Sequence, residues 1–322
     1  MEAEGCNVPK TGNPPLSTII YLVFSAVEAV VGMSLNAFIV AVNCINGIKS
    51  RHLKSIDKIL TALGISRFFY LCILSVKIFW EAIFPWTFEV TNVYQTLKAA
   101  IWFLTCTSLC FSACLCSFYC IKIANFQHHI FIRLKMGISK LVPWLLLVSV
   151  LGSLVNTSPF FSGIYSITCR KNNNSFDVLG NHSLEGISVQ TNLFNLFLYC
   201  GTGFSVVFFI LTTSTFLLLF SLWRQTHQIQ KSLASFSNPS MAAHFQAVKT
   251  IMSLLITDVI NFVSLMLLLS NIFPEKSPTN QLCIFIVYAC PSVQSIILVG
   301  GNPKLKRGFS RVMHYIRHMS MF

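Results

Sequence analysis

The sequence predicts an all-α membrane protein: a seven-transmembrane helix bundle with its N-terminus outside, its C-terminus inside and a short amphipathic C-terminal helix. Three observations carry this. Of 322 residues, 54% are hydrophobic and only 10% charged, with a mean hydropathy of +0.68, whereas soluble domains carry about 25% charged residues. Seven apolar stretches can each hold the roughly 20 helical residues that a bilayer requires. Lysine and arginine between those stretches fall overwhelmingly on one side.

The stretches lie near 17–45, 57–80, 96–124, 138–161, 192–222, 246–271 and 281–301, followed by a tail at 302–322, and together form one seven-helix domain spanning 1–322. MEAEGCNVPKTGNPP, ahead of the first, is polar and lacks a small-residue cleavage site, so the first span is expected to insert as a signal-anchor. The third, IWFLTCTSLCFSACLCSFYC, carries no charge until Lys122, placed where an ammonium can snorkel out of the hydrocarbon. Between the spans stand breaker-rich or charged segments such as NGIKSRHLKSIDK, WRQTHQIQKSLASFSNPSMAAH and the long SGIYSITCRKNNNSFDVLGNHSLEG. No repeat pairs the two halves, which weakens an inverted-repeat transporter.

Orientation follows from the basic residues. Lys49, Arg51, Lys54 and Lys58, then Lys122, Arg133, Lys135 and Lys140, then Arg224, Lys231 and Lys249 share one side with the tail's Lys304, Lys306, Arg307, Arg311 and Arg317. The other side holds Lys10, Arg170, Lys171 and Lys276 together with most of the acids. The formal net charge of +13 is therefore topology, and no nucleic-acid partner is needed. In the tail, Leu305, Phe309, Val312, Ile316 and Met319 recur at helical steps with basic residues between them, the pattern of a helix lying on anionic membrane lipids. Asn181 and Asn173 head two N-x-S glycosylation acceptors in the long outer loop, with Asn181 the first choice. Cys106, Cys110, Cys114, Cys116 and Cys120 read as small packing residues, since soft ligands without His or acid make a weak metal site. Pairing of Cys169 with Cys6 stays open.

Several segments carry a family resemblance: EAVVGMSLNAFIVAVN, DKILTALGISRFF, FYCIKIANF, LLLFSLWRQTH, SNPSMAAHFQAVKTIMSLL and QSIILVGGNPKLKRGF. Together they resemble the type 2 (bitter) taste receptors, seven-helix G-protein-coupled receptors. The resemblance implies a small-molecule bitter ligand held in the outer half of the bundle and a gustducin-type heterotrimeric G protein inside. It implies no cofactor and no enzyme activity, and leaves oligomerisation open. The chain departs from the family pattern at Gln225 and Gln294, where His is common, and at Thr105, which stands for an Asn. A pheromone-type (vomeronasal type 1) receptor is the nearest alternative, and a small transporter or channel the next.

Inside the membrane, Arg67 lies about 15 Å deep at 1.5 Å per residue, where a charge costs about 2.5–3.5 kcal/mol on insertion scales. Asn36, Gln294 and Ser295 fall at similar depth, so a hydrogen-bonded cluster joining the first, second and seventh helices is expected, either as a latch that switches or as a static tie. Glu28 and Asp258 sit nearer mid-bilayer with no assigned partner. For ligand binding, Trp102, Thr105, Cys106 and Leu109 form a stripe on helix three, facing Asn195 and Tyr199, Asn261 and Leu265, and Ile284 and Tyr288 on helices five, six and seven. Ordinary helix packing is the competing reading for each. On the inner face, Tyr119, Lys122, Arg133, Lys135, His227, Lys231, His244 and Lys249 flank the second and third inner loops, where the resemblance puts G-protein contact.

Overall fold

The structure, a computed structural model, describes residues 16–83, 92–123, 129–160, 165–169, 187–191, 193–232, 239–270, 272–273 and 277–319. Its helices are α1 (Leu16–Lys49), α2 (Ser55–Ile83), α3 (Asn92–Ile123), α4 (His129–Thr157), α5 (Leu193–Ser232), α6 (Pro239–Ser270), α7 (Pro278–Gly301) and α8 (Pro303–Met319). The first seven are long and apolar enough to cross a membrane. Many of their apolar side chains face outward, among them Trp144, Val148 and Leu151 on α4 and Phe209 and Phe216 on α5. Water would not tolerate such a continuous apolar exterior, whereas lipid requires one. The chain is a multi-pass membrane protein.

Several helices outrun the apolar stretches that announce them. α1 continues past residue 45 to Lys49, α4 starts at His129 ahead of 138, α5 continues past 222 to Ser232, and α6 starts at Pro239 ahead of 246. Hydropathy marks the thickness of the membrane. Helix propensity carries the backbone on through good helix formers such as Gln, Lys and Leu beyond it. The long loop also holds something the all-α expectation lacked. β1 (Tyr165–Cys169) and β2 (Ile187–Thr191) pair antiparallel, from Tyr165 opposite Thr191 to Cys169 opposite Ile187. Both strands carry β-branched residues that suit a pleated ribbon. This ribbon marks the hairpin end of the bundle; α8 and the α1–α2 turn mark the tail end.

α3 is the central post, packed on α2, α4 and α5, while α1 closes against α2 and α7, and α6 against α5 and α7. Small residues permit the close crossings. A Cβ at Gly32 of α1 would meet the Ser292 hydroxyl of α7 at 2.2 Å. Two joints at the tail end have local causes. The α1–α2 turn is short enough to force Arg51 to φ 54°, the left-handed region. At the end of α7 the Asn302 N–H donates to the Leu298 carbonyl, and its side-chain oxygen accepts from the Lys304 N–H at 3.0 Å. Pro303 then opens α8, where its missing N–H costs nothing. Asn-Pro-Lys is thus a helix-to-helix corner. It sets α8 against α1, where Phe309 meets Phe38 edge-on and Leu305 is fully buried.

Candidate functional site

Among the described residues Arg67 is the largest fully buried side chain, 1% exposed. Its Nε–H donates to Ser108 Oγ at 3.3 Å, and Nη2 donates to Ser112 Oγ at 3.4 Å and to Gln294 Oε1. Gln294 passes the contact on, its Nε2 donating to Asp258 Oδ1 at 2.7 Å. One amide therefore stands between a buried cation and a buried anion, joining α2, α3, α6 and α7. On the next residue of α7, Ser295 Oγ donates to Asn36 Oδ1 at 3.0 Å, and Asn36 Nδ2 donates to the Gly32 carbonyl at 2.8 Å. A turn away, Ser292 Oγ donates to Glu28 Oε1 at 3.3 Å. This polar centre ties five helices, and within it the charges of Arg67 and Asp258 offset one another, the arrangement that makes ionised groups tolerable in a bundle interior.

The structure thus brings Arg67 to Gln294 and Asn36 to Ser295 through neighbouring positions of α7. Sequence reasoning had Asp258 near mid-bilayer without a partner and missed Ser108 and Ser112. A lone acid on the sixth span was the available signal: a buried arginine calls for an anion at comparable depth. Arg67 and Asn261 also line a cavity of about 30 Å³, room for one water-sized group. Arg67 Nη1 and Asn261 Oδ1, a donor and an acceptor, are both buried without a hydrogen-bond partner.

Toward the hairpin end the interior is filled. Trp102 donates its indole N–H to Asn156 Oδ1 at 3.1 Å and lies 6.0 Å from the Phe160 ring and 5.9 Å from Phe204. Trp102, Cys106, Leu109 and Leu265 belong to one buried cluster with those rings, and Tyr288 packs against it. Phe204 and Phe208 both stack on Phe262 of α6. Thr105 donates to the Ile101 carbonyl at 2.8 Å and lines the small central cavity. Ile284 is half-buried on α7. Tyr199 is not with the others: 45% exposed, it lies on the outside of α5 with its hydroxyl donating to the Val155 carbonyl at 3.3 Å. The side chain of Asn195 lies outside the described residues. Lys77 of α2, which sequence reasoning passed over, reaches Tyr288: its Nζ is 3.4 Å from the phenol oxygen and 5.8 Å from the ring centre.

Toward the tail end the interior is open. A cavity of about 640 Å³ has apolar walls that include Leu60, Leu115, Leu218 and Leu255. Asp258 lines both this cavity and the central one, so it stands where the two come nearest. At the helix ends the lining turns cationic with Lys49, Lys54 and Lys304. Lys304 Nζ pairs with Asp57 Oδ2 at 2.9 Å and donates to Asn43 Oδ1 at 3.3 Å, fastening α8 to α1 and α2.

Of the expected coupling residues, Tyr119 lines the wall of this cavity. Lys122 is exposed, with its ammonium 5.9 Å over the Phe118 ring. Arg133, Lys135 and Lys249 are exposed, and His227 stacks on Trp223 at 6.1 Å. The side chains of Lys231 and His244 lie outside the described residues, as do Asn173, Asn181 and Cys6. Within the cysteine-rich helix, Cys106 and Cys120 are buried, Ser153 Oγ donates to Cys110 Sγ at 3.9 Å, and Cys114 lies 3.5 Å from Ser149 Oγ.

Seven membrane helices around a buried polar centre, with a cavity opening at one end, define a heptahelical membrane protein of receptor architecture. The family model described as "Taste receptor protein (TAS2R)" matches residues 14–317. Taste receptor type 2 member 40 of Gallus gallus is 35% identical over 92% of this chain and 94% of its own. Taste receptor type 2 member 9 is 35% identical in Macaca mulatta and 33% identical in Homo sapiens, each over 94% of this chain and 96% of the relative. The chain belongs to the TAS2R taste receptor family. It is a bitter-taste-type receptor and not an enzyme.

Proposed function

We propose that the chain binds small, mostly apolar bitter molecules among α3, α5, α6 and α7 toward the hairpin end and activates a gustducin-type heterotrimeric G protein at the tail end. The hairpin end, with the sequons at Asn181 and Asn173, is then outside, and the tail end is cytoplasmic, in keeping with the bias of lysine and arginine. One observation carries the reading: a polar relay from Arg67 through Gln294 to Asp258 stands between a closed aromatic half and an open cavity. A ligand parting the Trp102–Phe204–Phe262 stack moves α6 relative to α3 and so acts on the relay at Asp258. It shifts the receptor between two helix arrangements only by its difference in affinity for them. The tail-end cavity, with Tyr119 in its wall, together with the exposed cations Lys122, Arg133, Lys135 and Lys249, supports docking of the G protein.

Calcium release in cells carrying a gustducin-type chimeric G protein tests this against a panel of bitter compounds. A dose-dependent response is expected. Trp102→Phe, which keeps the ring packing, is expected to reach the cell surface with a changed dose-response. Silence across the panel with verified surface expression would overturn the coupling, and a Trp102→Phe response identical to wild type would overturn the pocket.

A further inference from the structure

We propose that the tail-end cavity is a binding site for a single-chain phosphate amphiphile of the cytoplasmic leaflet, of the lysophosphatidic acid class. This goes beyond ligand sensing, although it takes the tail end to be cytoplasmic as above, and a lipid seated in this cavity would compete with the G protein for it. Three features point to it. The volume, about 640 Å³, falls within the range of small-molecule sites, roughly 300–1,000 Å³, and suits one acyl chain. Between the mouth and the far end the walls are mainly apolar, with Leu60, Leu115, Leu218, Leu254 and Leu255. The mouth holds Lys49 and Lys54, both exposed, and Lys304, an ammonium with three donors of which Asp57 and Asn43 engage two.

The order of these features along the membrane normal matters as much as their chemistry. A lipid of the cytoplasmic leaflet has its phosphate at the surface and its chain pointing toward mid-membrane. The cavity has the same polarity, cationic at the helix ends and apolar above. Asp57 is the acid at the mouth, and its bond to Lys304 leaves Lys49 and Lys54 as the positive surplus there. Lysine, a compact charge with rotatable donors, suits a phosphate monoester that carries close to two negative charges. At the far end Cys116, Thr215 and Asp258 make the lining polar. An apolar chain therefore stops short of the relay, and that end limits the chain length accepted.

The test is binding of radiolabelled oleoyl lysophosphatidic acid to the full receptor in phosphatidylcholine nanodiscs, with no bitter ligand and no G protein present. Lysophosphatidylcholine and oleate serve as competitors. Lysophosphatidic acid is expected to bind about tenfold more tightly than either, and Lys49→Gln with Lys54→Gln to remove that preference. Leu254→Trp, which fills the cavity wall, is expected to abolish binding of the chain. Equal affinity for lysophosphatidylcholine, or binding unchanged in the double lysine variant, would overturn the headgroup assignment. Oleate binding as tightly as lysophosphatidic acid would overturn the phosphate. Unchanged binding to Leu254→Trp would overturn the cavity as its place. Because neither bitter ligand nor G protein enters the measurement, its failure would leave the receptor reading intact, and a silent calcium screen would leave this one intact.

Discussion

The two halves of the bundle are built from the same helices and solve opposite problems. Toward the hairpin end, aromatic rings of α3, α5 and α6 fill the interior, and Trp102 spends its single donor on Asn156 of α4. Toward the tail end the interior is hollow, and the helices are held by polar ties at the rim, Asp57 to Lys304 and Ser55 Oγ to the Ser139 carbonyl at 3.2 Å. Packing without directional bonds can open for guests of many shapes. Rim ties around a hollow hold helix ends in register while leaving room for something to enter. The polar centre lies between, and its relay belongs to both.

If the relay is the joint between the halves, breaking it should have the largest effect. Arg67→Met leaves Asp258 buried without its balancing cation, and loss of one partner of a buried pair costs about 3–5 kcal/mol. Surface expression and thermal unfolding in detergent should both fall sharply. The pair Arg67→Met with Asp258→Leu should recover most of that loss, since removing both charges is far cheaper than removing one. If the double variant were no better than the single, Arg67 and Asp258 would not be coupled through Gln294.

In the aromatic half, Trp102→Ala should cost about 3–5 kcal/mol through the cavity left against Phe160 and Phe204. Trp102→Phe should cost only about 1 kcal/mol, for the lost bond to Asn156. A large gap between the two in thermal unfolding would locate the strength of this half in its packing. At the rim of the tail half, Asp57→Asn should cost no more than about 1 kcal/mol, because Lys304 is 36% exposed and water screens the pair. That loss should shrink as salt is added. A larger, salt-insensitive loss would mean that the hollow half depends on its ties more than its exposure allows.

Much of this was legible in the sequence, and what was not has a common cause. Depth is readable: residues per turn and rise placed Arg67, Asn36, Gln294 and Ser295 at one level. Azimuth is not readable, because it depends on how each helix is turned against its neighbours. Asp258 was therefore left without a partner although it closes the relay, and Tyr199 was placed inward although it faces out. Lys77 escaped notice for the same reason, since only the rotation of α2 brings it to Tyr288. The cysteines of α3 illustrate the converse. Their apolar surroundings marked them as packing residues, but the partners Ser153 and Ser149 on α4 came from the crossing of two helices. The ribbon of β1 and β2 went unseen because five-residue strands in a loop leave little pattern to find.

The smallest effect concerns the turn that lets the tail half stay open. Arg51 holds φ 54°, which costs a residue with a Cβ about 1–2 kcal/mol. Glycine adopts this conformation without that cost but loses about 0.4–1 kcal/mol in the greater freedom of its unfolded chain. Arg51→Gly should therefore stabilise the receptor by about 0.5–1 kcal/mol, read as a small upward shift in thermal unfolding. The loss of one charge leaves Lys49, Lys54 and Lys58 around the same turn, so insertion should keep its direction. The same residue is then a test of which feature governs this corner. A variant that unfolds earlier would mean that the arginine side chain, and not the backbone, holds α1 to α2, and the rim of the hollow half would owe more to its cations than to its geometry.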